Sequence, residues 1–399
     1  MRALGRVVLV DALCNLVLFA VVPLLIAIHP AESIGRYGVF QTVVGLAAIA
    51  ATMRLELALR ERRELSTGDA FRSIVVFGPV AAASAVAFYM VVARCGGMPA
   101  PGVLEAGLAA VGGFASGLFN YLGYRLVAEE RTDVLSAARV VRVAVVVAGQ
   151  VVVPTWLVAP AYGWLATSSV VAVCVAVALC VHLVPVTIPR GGLERAWTTI
   201  ATNRALIAGN APAALIFAAQ DAALLAFVAS SSMQAAGIFF IADRLLRTPV
   251  VVLNQSLRQF VVAGRLRLDR LRIVLVQGVL LVACAGFAWA VHAFVQPRAT
   301  WLPDGWGEIL EVVAALSFVY ALQIGASLAS SRAIRDGDDT VALLYACLCA
   351  LSVASTIALH EVGGSRPLYV DYALCAGAAH LVFLGLAMAQ PRHALRAPV

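Results

Sequence analysis

Charged and amide side chains inside long apolar runs are the residues of this sequence best able to do chemistry. The densest set occupies one helical face, about 60° wide at 100° per residue, of the run 236–262: Asp243, Arg247, Asn254 and Arg258. Arg244 and Gln255 form a neighbouring line. Asp243 and Arg247 also have the i, i+4 spacing of an ion pair that neutralises itself. That pairing does not explain Arg244, which has no local partner.

Further polar residues interrupt other apolar runs. The candidates for a functional role are Asp11, Arg54, Glu56, Asn120, Tyr124, Arg142 and Asp221. An ionised side chain at the centre of a bilayer costs about 2.5–3.5 kcal/mol on insertion scales, so such residues usually face a partner or a water-filled cavity. Asn120 and Tyr124 are four residues apart and share a helical face. Together these side chains predict a bundle with a polar, cation-biased interior.

Composition argues against several kinds of chemistry. All 29 basic residues are arginine, so the chain lacks the lysine of a phosphate-binding P-loop and a lysine for a Schiff base. Most of the 8 cysteines lie in apolar runs, where thiols fill space, and neither a metal nor another cofactor is expected. No basic patch is interleaved with exposed aromatic residues, so nucleic acid is not an expected partner, and the net charge of +7 suits anionic lipid headgroups.

Twelve apolar runs must position these residues. Each is long enough to cross a bilayer, which takes about 20 residues. Hydrophobic residues make up 62% of the chain and the mean hydropathy is +0.92, which leaves no room for a soluble domain. The expected fold class is all-α, a polytopic membrane protein with twelve transmembrane helices. The predicted spans are 7–28, 38–60, 71–93, 103–127, 136–158, 163–185, 205–229, 236–262, 270–294, 308–331, 340–360 and 368–390.

Arginine orients these spans. It is concentrated in alternate connections and at both termini, whereas the opposite connections contain only Arg36, Arg94, Arg298 and Arg366. Because positively charged loops stay on the cytoplasmic side, both termini are predicted to face the cytoplasm. The preference for arginine over lysine, with the many alanines and valines, indicates a GC-rich bacterial genome.

The order of the spans suggests a duplication. Six spans in residues 1–185 and six in residues 205–399, the second set with a short cytoplasmic tail, flank a cytoplasmic linker, 186–204. The second span of each block begins with a similar string, Gly35-Arg36-Tyr37-Gly38-Val39-Phe40 in one and Gly237-Ile238-Phe239-Phe240 in the other. Because six is even, the two six-helix bundles would have the same orientation, as in a parallel repeat about an axis along the membrane normal. Two such bundles can rock around a central cavity.

Two parts of the sequence resemble a known family, the bacterial polysaccharide exporters of the Wzx type. The second helix of that family is similar to Ile34-Gly35-Arg36-Tyr37-Gly38 with the span closing in Thr52-Met53-Arg54-Leu55-Glu56-Leu57-Ala58. Its eighth helix is similar to Ala236-Gly237-Ile238-Phe239-Phe240 continuing through Asp243-Arg244-Leu245 and Pro249 to Asn254-Gln255-Ser256. The family belongs to the MOP superfamily, which also contains the MATE drug exporters. The likeness in span number and repeat covers the whole chain, although the chain is shorter than expected for the family.

The resemblance implies a flippase in the bacterial cytoplasmic membrane. Its substrate would be an undecaprenyl-diphosphate-linked oligosaccharide, a repeat unit of O-antigen, capsule or exopolysaccharide, and a polysaccharide polymerase and chain-length regulator would be candidate partners beside the phospholipid bilayer. Because the planar guanidinium fork matches phosphate oxygens, the candidates for the headgroup are Arg54, Arg142, Arg244 and Arg247. The candidates for sugar hydroxyls are Asn120, Tyr124, Asn254 and Gln255. Candidates for coupling to protons or sodium, or for neutralising the arginines, are Asp11, Glu56, Asp221 and Asp243.

Two alternatives stay open at this point. The first is a MATE-like drug antiporter coupled to a cation gradient, in which an acid of the first span such as Asp11 would be central and the cavity should be anionic. The second is a membrane glycosyltransferase or polymerase. The short outer connections argue against the enzyme, since the longest, about 295–307, contains only Asp304 and, at its edge, Glu308.

Overall fold

The fold is built from helices throughout the part of the chain that the structure describes. The structure is a computed structural model that describes residues 2–56, 66–95, 101–156, 162–186, 192–262, 270–295, 302–303, 306–335, 340–363 and 366–389, with no strand among them. Its helices are α1 Arg2–Ile28, α2 Ala31–Thr52, α3 Thr67–Cys95, α4 Val103–Ala128, α5 Thr132–Val147, α6 Tyr162–Leu183, α7 Leu193–Thr202, α8 Arg204–Ser231, α9 Met233–Val262, α10 Arg270–Ala290, α11 Ile309–Arg335, α12 Thr340–Gly363 and α13 Leu368–Ala389.

Local sequence explains where α2 and α4 begin. Pro30 precedes α2 with its φ fixed at −59°, and Glu32 in the first turn suits the positive end of the helix dipole. At the start of α4, the Gly102 amide donates a hydrogen bond of 3.1 Å to Oε2 of Glu105, so one unpaired amide is satisfied. Helix α5 continues into a π-helical segment, Ala148–Val152, and a final turn, Val153–Trp156.

Ten of the helical segments in the described residues are long and apolar enough to cross a membrane. They match ten of the predicted spans, and α1 and α9 coincide with the other two. Helix α9 is outside this set because its apolar sequence is broken by Asp243, Arg244, Arg247 and Arg258. The chain is therefore a multi-pass helical protein whose surface carries many exposed valines and leucines, as expected where lipid is the solvent.

The helices form two compact units, Met1–Gly237 and Ile238–Val399. The first contains α1–α8 and the first residues of α9, because α8 packs along α2. The predicted boundary at the linker 186–204 remains a prediction about the repeat, and the described part of that linker forms α7 against α3. In the second unit, α11 packs against α10 and α13.

Small residues allow α2 to approach its neighbours closely in the first unit. The Cβ of an alanine at Gly35 would overlap the Met233 carbonyl oxygen and lie 2.9 Å from the Gly237 amide nitrogen. A Cβ at Gly237 would in turn overlap the Ala31 carbonyl oxygen. The first turns of α2 and α9 are therefore in backbone contact, which is how helices pack when small residues line an interface in lipid. Gly35 and Gly237, the first residues of the two similar strings, are the residues that meet.

Candidate functional site

The strongest polar cluster of the second unit joins α9 to α11. Nε of Arg247 lies 3.1 Å from Oδ2 of Asp243, and the same nitrogen donates a hydrogen bond of 3.1 Å to the hydroxyl of Tyr320. The Tyr320 hydroxyl donates to the other carboxylate oxygen, Oδ1 of Asp243. We call these three residues the α9–α11 network. The pairing of Asp243 with Arg247 is the self-neutralised arrangement that their i, i+4 spacing allowed.

The members of this network differ in exposure. The side chain of Arg247 is 42% exposed and that of Asp243 is 21% exposed, whereas Tyr320 is buried. An ion pair at that degree of exposure is strongly screened and contributes roughly 0–1 kcal/mol. Asp243 thus holds Arg247 in place in this conformation. The ion pair is weak enough for another anion to replace Asp243.

Among the arginines of α9 whose side chains the structure describes, Arg244 and Arg247, only Arg244 is outside the network. Its side chain is half-buried, and no carboxylate of the described residues lies within ion-pair distance of its guanidinium group. Its backbone carbonyl accepts a hydrogen bond of 2.8 Å from Oγ1 of Thr248, four residues later. The permanently charged guanidinium group of Arg244 therefore belongs to an apolar helix, one residue along the chain from Asp243 and its ion pair. None of the described acids compensates its charge.

Arg54 and Glu56 form the corresponding pair in the first unit, at the end of α2. The helix was predicted to run to residue 60, but it ends at Thr52 because Met53 and Arg54 adopt left-handed backbone angles, with φ of 48° and 61°. Two consecutive non-glycine residues in that region are uncommon and carry a strain of about 1–3 kcal/mol each. Neither residue type signals this break in the sequence.

Just after this break, the carboxylate of Glu56 is buried within the first unit. Nη1 of Arg54 lies 3.3 Å from Oε1 of Glu56, whose side chain is only 3% exposed. The second carboxylate oxygen, Oε2 of Glu56, and Nε of Arg54 are buried without a hydrogen-bond partner in the described residues. A buried carboxylate with an unsatisfied oxygen is costly, so Arg54 is the described partner on which Glu56 depends.

Arg142 and the two candidates for sugar contact lie on α5 and α4. The guanidinium carbon of Arg142 is 5.4 Å from the centroid of the Phe119 ring, a cation–π distance, and the arginine is half-buried. Asn120 and Tyr124 are both exposed on α4. The first unit therefore places a cation and two hydrogen-bonding side chains on neighbouring helices.

The remaining predicted residues are less informative. Asp221 is half-buried on α8. The side chains of Asp11, Asn254 and Gln255 lie outside the described residues, although their backbones belong to α1 and α9. The structure brings together Arg54 with Glu56 in the first unit and Asp243 with Arg247 in the second, and their roles in binding remain predictions.

Sequence reasoning missed two groups of polar residues. Tyr320 completes the α9–α11 network, and its position within an apolar run gave no signal. In the first unit, Nε2 of Gln150 donates to the Tyr37 hydroxyl at 2.9 Å and to Oγ of Ser169 at 3.1 Å. Tyr37 and Ser169 also share a hydrogen bond of 2.6 Å. Gln150 belongs to the π-helical segment and is fully buried, so this group fixes how α2, α5 and α6 pack.

His29, between α1 and α2, is attached to the same group. Its Nε2 lies 2.9 Å from the carbonyl oxygen of Gln150, while Nδ1 is buried without a partner in the described residues. Burial lowers the pKa of His29 from its ordinary value of 6.5, and the hydrogen bond to Gln150 opposes this shift only in part. His29 is therefore neutral near pH 7 and acts as a donor to the π-helical segment.

Comparison with known proteins gives the fold. No family model and no curated protein sequence matches the chain. An inward-facing multidrug resistance MATE family transporter of the MOP superfamily is similar in structure, with a TM-score of 0.63, 11% identity, and coverage of 95% of this chain and 97% of that chain. A eukaryotic MATE transporter has a TM-score of 0.51 at 14% identity, covering 96% of this chain and 93% of its own. A Vibrio cholerae MATE transporter in its bent form has a TM-score of 0.50 at 12% identity, with coverages of 97% and 98%. The chain thus has the fold of MATE transporters over nearly its whole length.

Proposed function

We propose that this protein is a flippase that moves a lipid-linked oligosaccharide diphosphate across the bacterial cytoplasmic membrane by alternating access. The twelve spans would form two six-helix bundles with both termini in the cytoplasm. The fold supports membrane transport, because solved proteins of similar fold are transporters. The choice of an anionic, glycan-bearing lipid rests on the side chains.

The observation that carries this proposal is the set of half-buried arginines in apolar helices or at their ends, with Arg244 foremost. A cation in lipid is tolerated where it meets a partner or a wet cavity, and the described acids leave Arg244 uncompensated. A diphosphate supplies several acceptor oxygens, and arginine binds them through parallel, charge-assisted hydrogen bonds. Arg247, Arg142 and Arg54 are the further candidates for the headgroup.

Under this proposal, the acids pair with the arginines before the substrate binds. Asp243 holds Arg247 until phosphate oxygens take over the guanidinium, an exchange that is inexpensive because the pair is partly exposed. Glu56 is nearly fully buried, so releasing Arg54 would leave a buried negative charge. We expect a proton or a sodium ion to compensate that charge, which makes Glu56 the first candidate for ion coupling, ahead of Asp11 and Asp221.

The sugar would contact exposed polar side chains. Asn120 and Tyr124 face outward from α4 and offer an amide and a phenol for hydroxyl groups. Asn254 and Gln255 are the candidates from α9. The polyprenyl chain would stay in the bilayer, and the repeat unit would belong to O-antigen, capsule or exopolysaccharide, with a polymerase and a chain-length regulator acting next.

A cellular experiment tests the proposal. Arg244→Gln combined with Arg247→Gln should abolish surface polysaccharide in a strain that depends on this protein, while the protein still reaches the membrane. The matched control is Arg131→Gln, which removes an arginine that is 48% exposed and lies 3.6 Å from Asp133, outside the spans. Normal polysaccharide with the double variant would contradict the role of these arginines.

A cation-coupled drug antiporter is the second candidate, because a solved protein of similar fold is a multidrug resistance transporter. It would carry cationic compounds, and acids such as Asp11, Asp221 and Asp243 would bind them. Efflux of cationic dyes from cells that express the protein distinguishes the two candidates. Dye efflux that depends on Asp243 and is unaffected by Arg244→Gln would favour the antiporter.

A further inference from the structure

Helix α7 has an apolar face that no described helix covers. Leu193 and Trp197 lie one turn apart and are 64% and 61% exposed. Ala196 and Thr199, about 60° and 120° from Leu193 around the helix, are buried. Thr198 and Glu194 are exposed on the polar side. The helix therefore has three faces, one packed on protein, one apolar and exposed, and one polar.

The helix is firmly attached to the start of α3. Nη2 of Arg195 donates a hydrogen bond of 3.1 Å to Oδ2 of Asp69, and Nε lies 2.8 Å from Oδ1, an ion-pair distance. The Ser73 hydroxyl donates a hydrogen bond of 3.0 Å to the carbonyl oxygen of Ala196. The Trp197 ring packs edge-on against Phe77, with ring centroids 6.2 Å apart. Because bonds of three kinds fix α7, its exposed face has a defined direction.

That face continues the lipid-facing surface of a candidate span. Next to Phe77 on α3, the side chains of Val75, Val76 and Val80 are exposed. Helix α3 has 29 residues, or about 43 Å at 1.5 Å per residue, whereas the hydrocarbon core is about 30 Å thick. About four residues at each end of α3 therefore extend past the hydrocarbon, which puts Asp69 among the headgroups and Phe77 among the acyl chains. Trp197 lies at the boundary between them.

We propose that α7 lies in the plane of the membrane interface, with Leu193 and Trp197 inserted into the phospholipid leaflet at the end of α3 that begins with Thr67. The predicted topology makes this the cytoplasmic leaflet. An amphipathic helix with tryptophan and leucine on its apolar side binds there, since the indole ring prefers the headgroup level. Arg204, exposed at the first position of α8, and Arg195 lie where anionic headgroups would be found.

Depth-dependent fluorescence quenching tests this inference on the full chain in lipid vesicles. Wild type and Trp197→Phe are each reconstituted in phosphatidylcholine brominated at acyl carbons 6 and 7 or at carbons 11 and 12. The difference between the two proteins is the Trp197 signal. It should be quenched at least about twofold more by the shallow bromines than by the deep ones, and little by aqueous iodide.

The matched control is Trp306→Phe, because Trp306 is buried in the second unit and its removal should leave the difference between the two lipids unchanged. Quenching of the Trp197 signal by iodide and not by brominated lipid would place the helix in water and overturn the inference. Protection from both quenchers would mean that a second copy of this chain or another protein covers the face, which overturns it as well. Unchanged thermal unfolding of Trp197→Phe, whose side chain is exposed, ensures that both proteins are compared in the folded state.

Discussion

Replacing Tyr320 with phenylalanine should destabilise the second unit by removing one hydrogen bond to a carboxylate. The Tyr320 hydroxyl is buried and donates to Oδ1 of Asp243 while accepting from Nε of Arg247. A hydrogen bond to a charged group contributes about 1.5–3 kcal/mol. Asp243 keeps its bond to Arg247, so we expect a loss of about 1.5 kcal/mol, at the lower end of that range.

The assay is equilibrium unfolding of the purified protein in mixed micelles, with the free energy of unfolding measured for four proteins. These are wild type, Tyr320→Phe, Asp243→Asn and the double variant. Because the two side chains share a bond, the cycle should give a coupling energy of about 1 kcal/mol or more. Tyr124→Phe is the control, since its side chain is 41% exposed and the loss of its hydroxyl should change stability by less than about 0.5 kcal/mol. A Tyr320→Phe variant as stable as wild type, with no coupling to Asp243, would refute the network.

Three further predictions concern the first unit. Gly35→Val should lower the thermal unfolding temperature in detergent by an amount equivalent to about 1–3 kcal/mol, because the valine side chain would overlap the Met233 carbonyl oxygen. Gly45→Val is the control, since a side chain at Gly45 meets open space and the unfolding temperature should stay near that of the wild type. His29 takes up a proton more readily in the unfolded chain, so the free energy of unfolding of the wild type should fall as the pH drops below 6.5, by at most about 1.4 kcal/mol per pH unit. In unfolding measured from about pH 7.5 to 5, His29→Gln should lack the part of this pH dependence that comes from His29. Arg125→Gln should destabilise the protein by about 1–3 kcal/mol in the same assay, because its guanidinium binds Glu129 at 2.7 Å and the carbonyl oxygens of Val184 and Pro185 at the end of α6.

The sequence predicted the helices well and the details of the site incompletely. Apolar runs of about 20 residues locate spans, because lipid requires every backbone amide to bond within its own helix. The i, i+4 spacing of Asp243 and Arg247 also predicted their contact, since both lie on one helix. Tyr320 comes from another helix, and the packing that delivers it depends on side-chain shapes that a periodicity does not contain.

The end of α2 shows a second reason for incomplete prediction. Helical periodicity continues through Met53 and Arg54, and only the observed left-handed angles reveal that the helix stops there. Such strain persists when surrounding contacts enforce it, so it is a property of the whole unit. Likewise the linker 186–204 was predicted as a connection, whereas Leu193 to Thr202 form an amphipathic helix whose buried face depends on α3.

Transport measured with purified components tests the central claim most directly. Protein reconstituted in vesicles is supplied with a fluorescent polyprenyl-diphosphate oligosaccharide, and its movement between leaflets is followed by chemical quenching from outside. Wild-type protein should accelerate that movement, and the double variant Arg244→Gln with Arg247→Gln should be slower than wild type by about tenfold or more. Each lost charge-assisted hydrogen bond contributes about 1.5–3 kcal/mol, and 1.4 kcal/mol corresponds to a factor of ten. Wild-type protein that leaves the lipid unmoved and exchanges a cationic dye for protons would contradict the account.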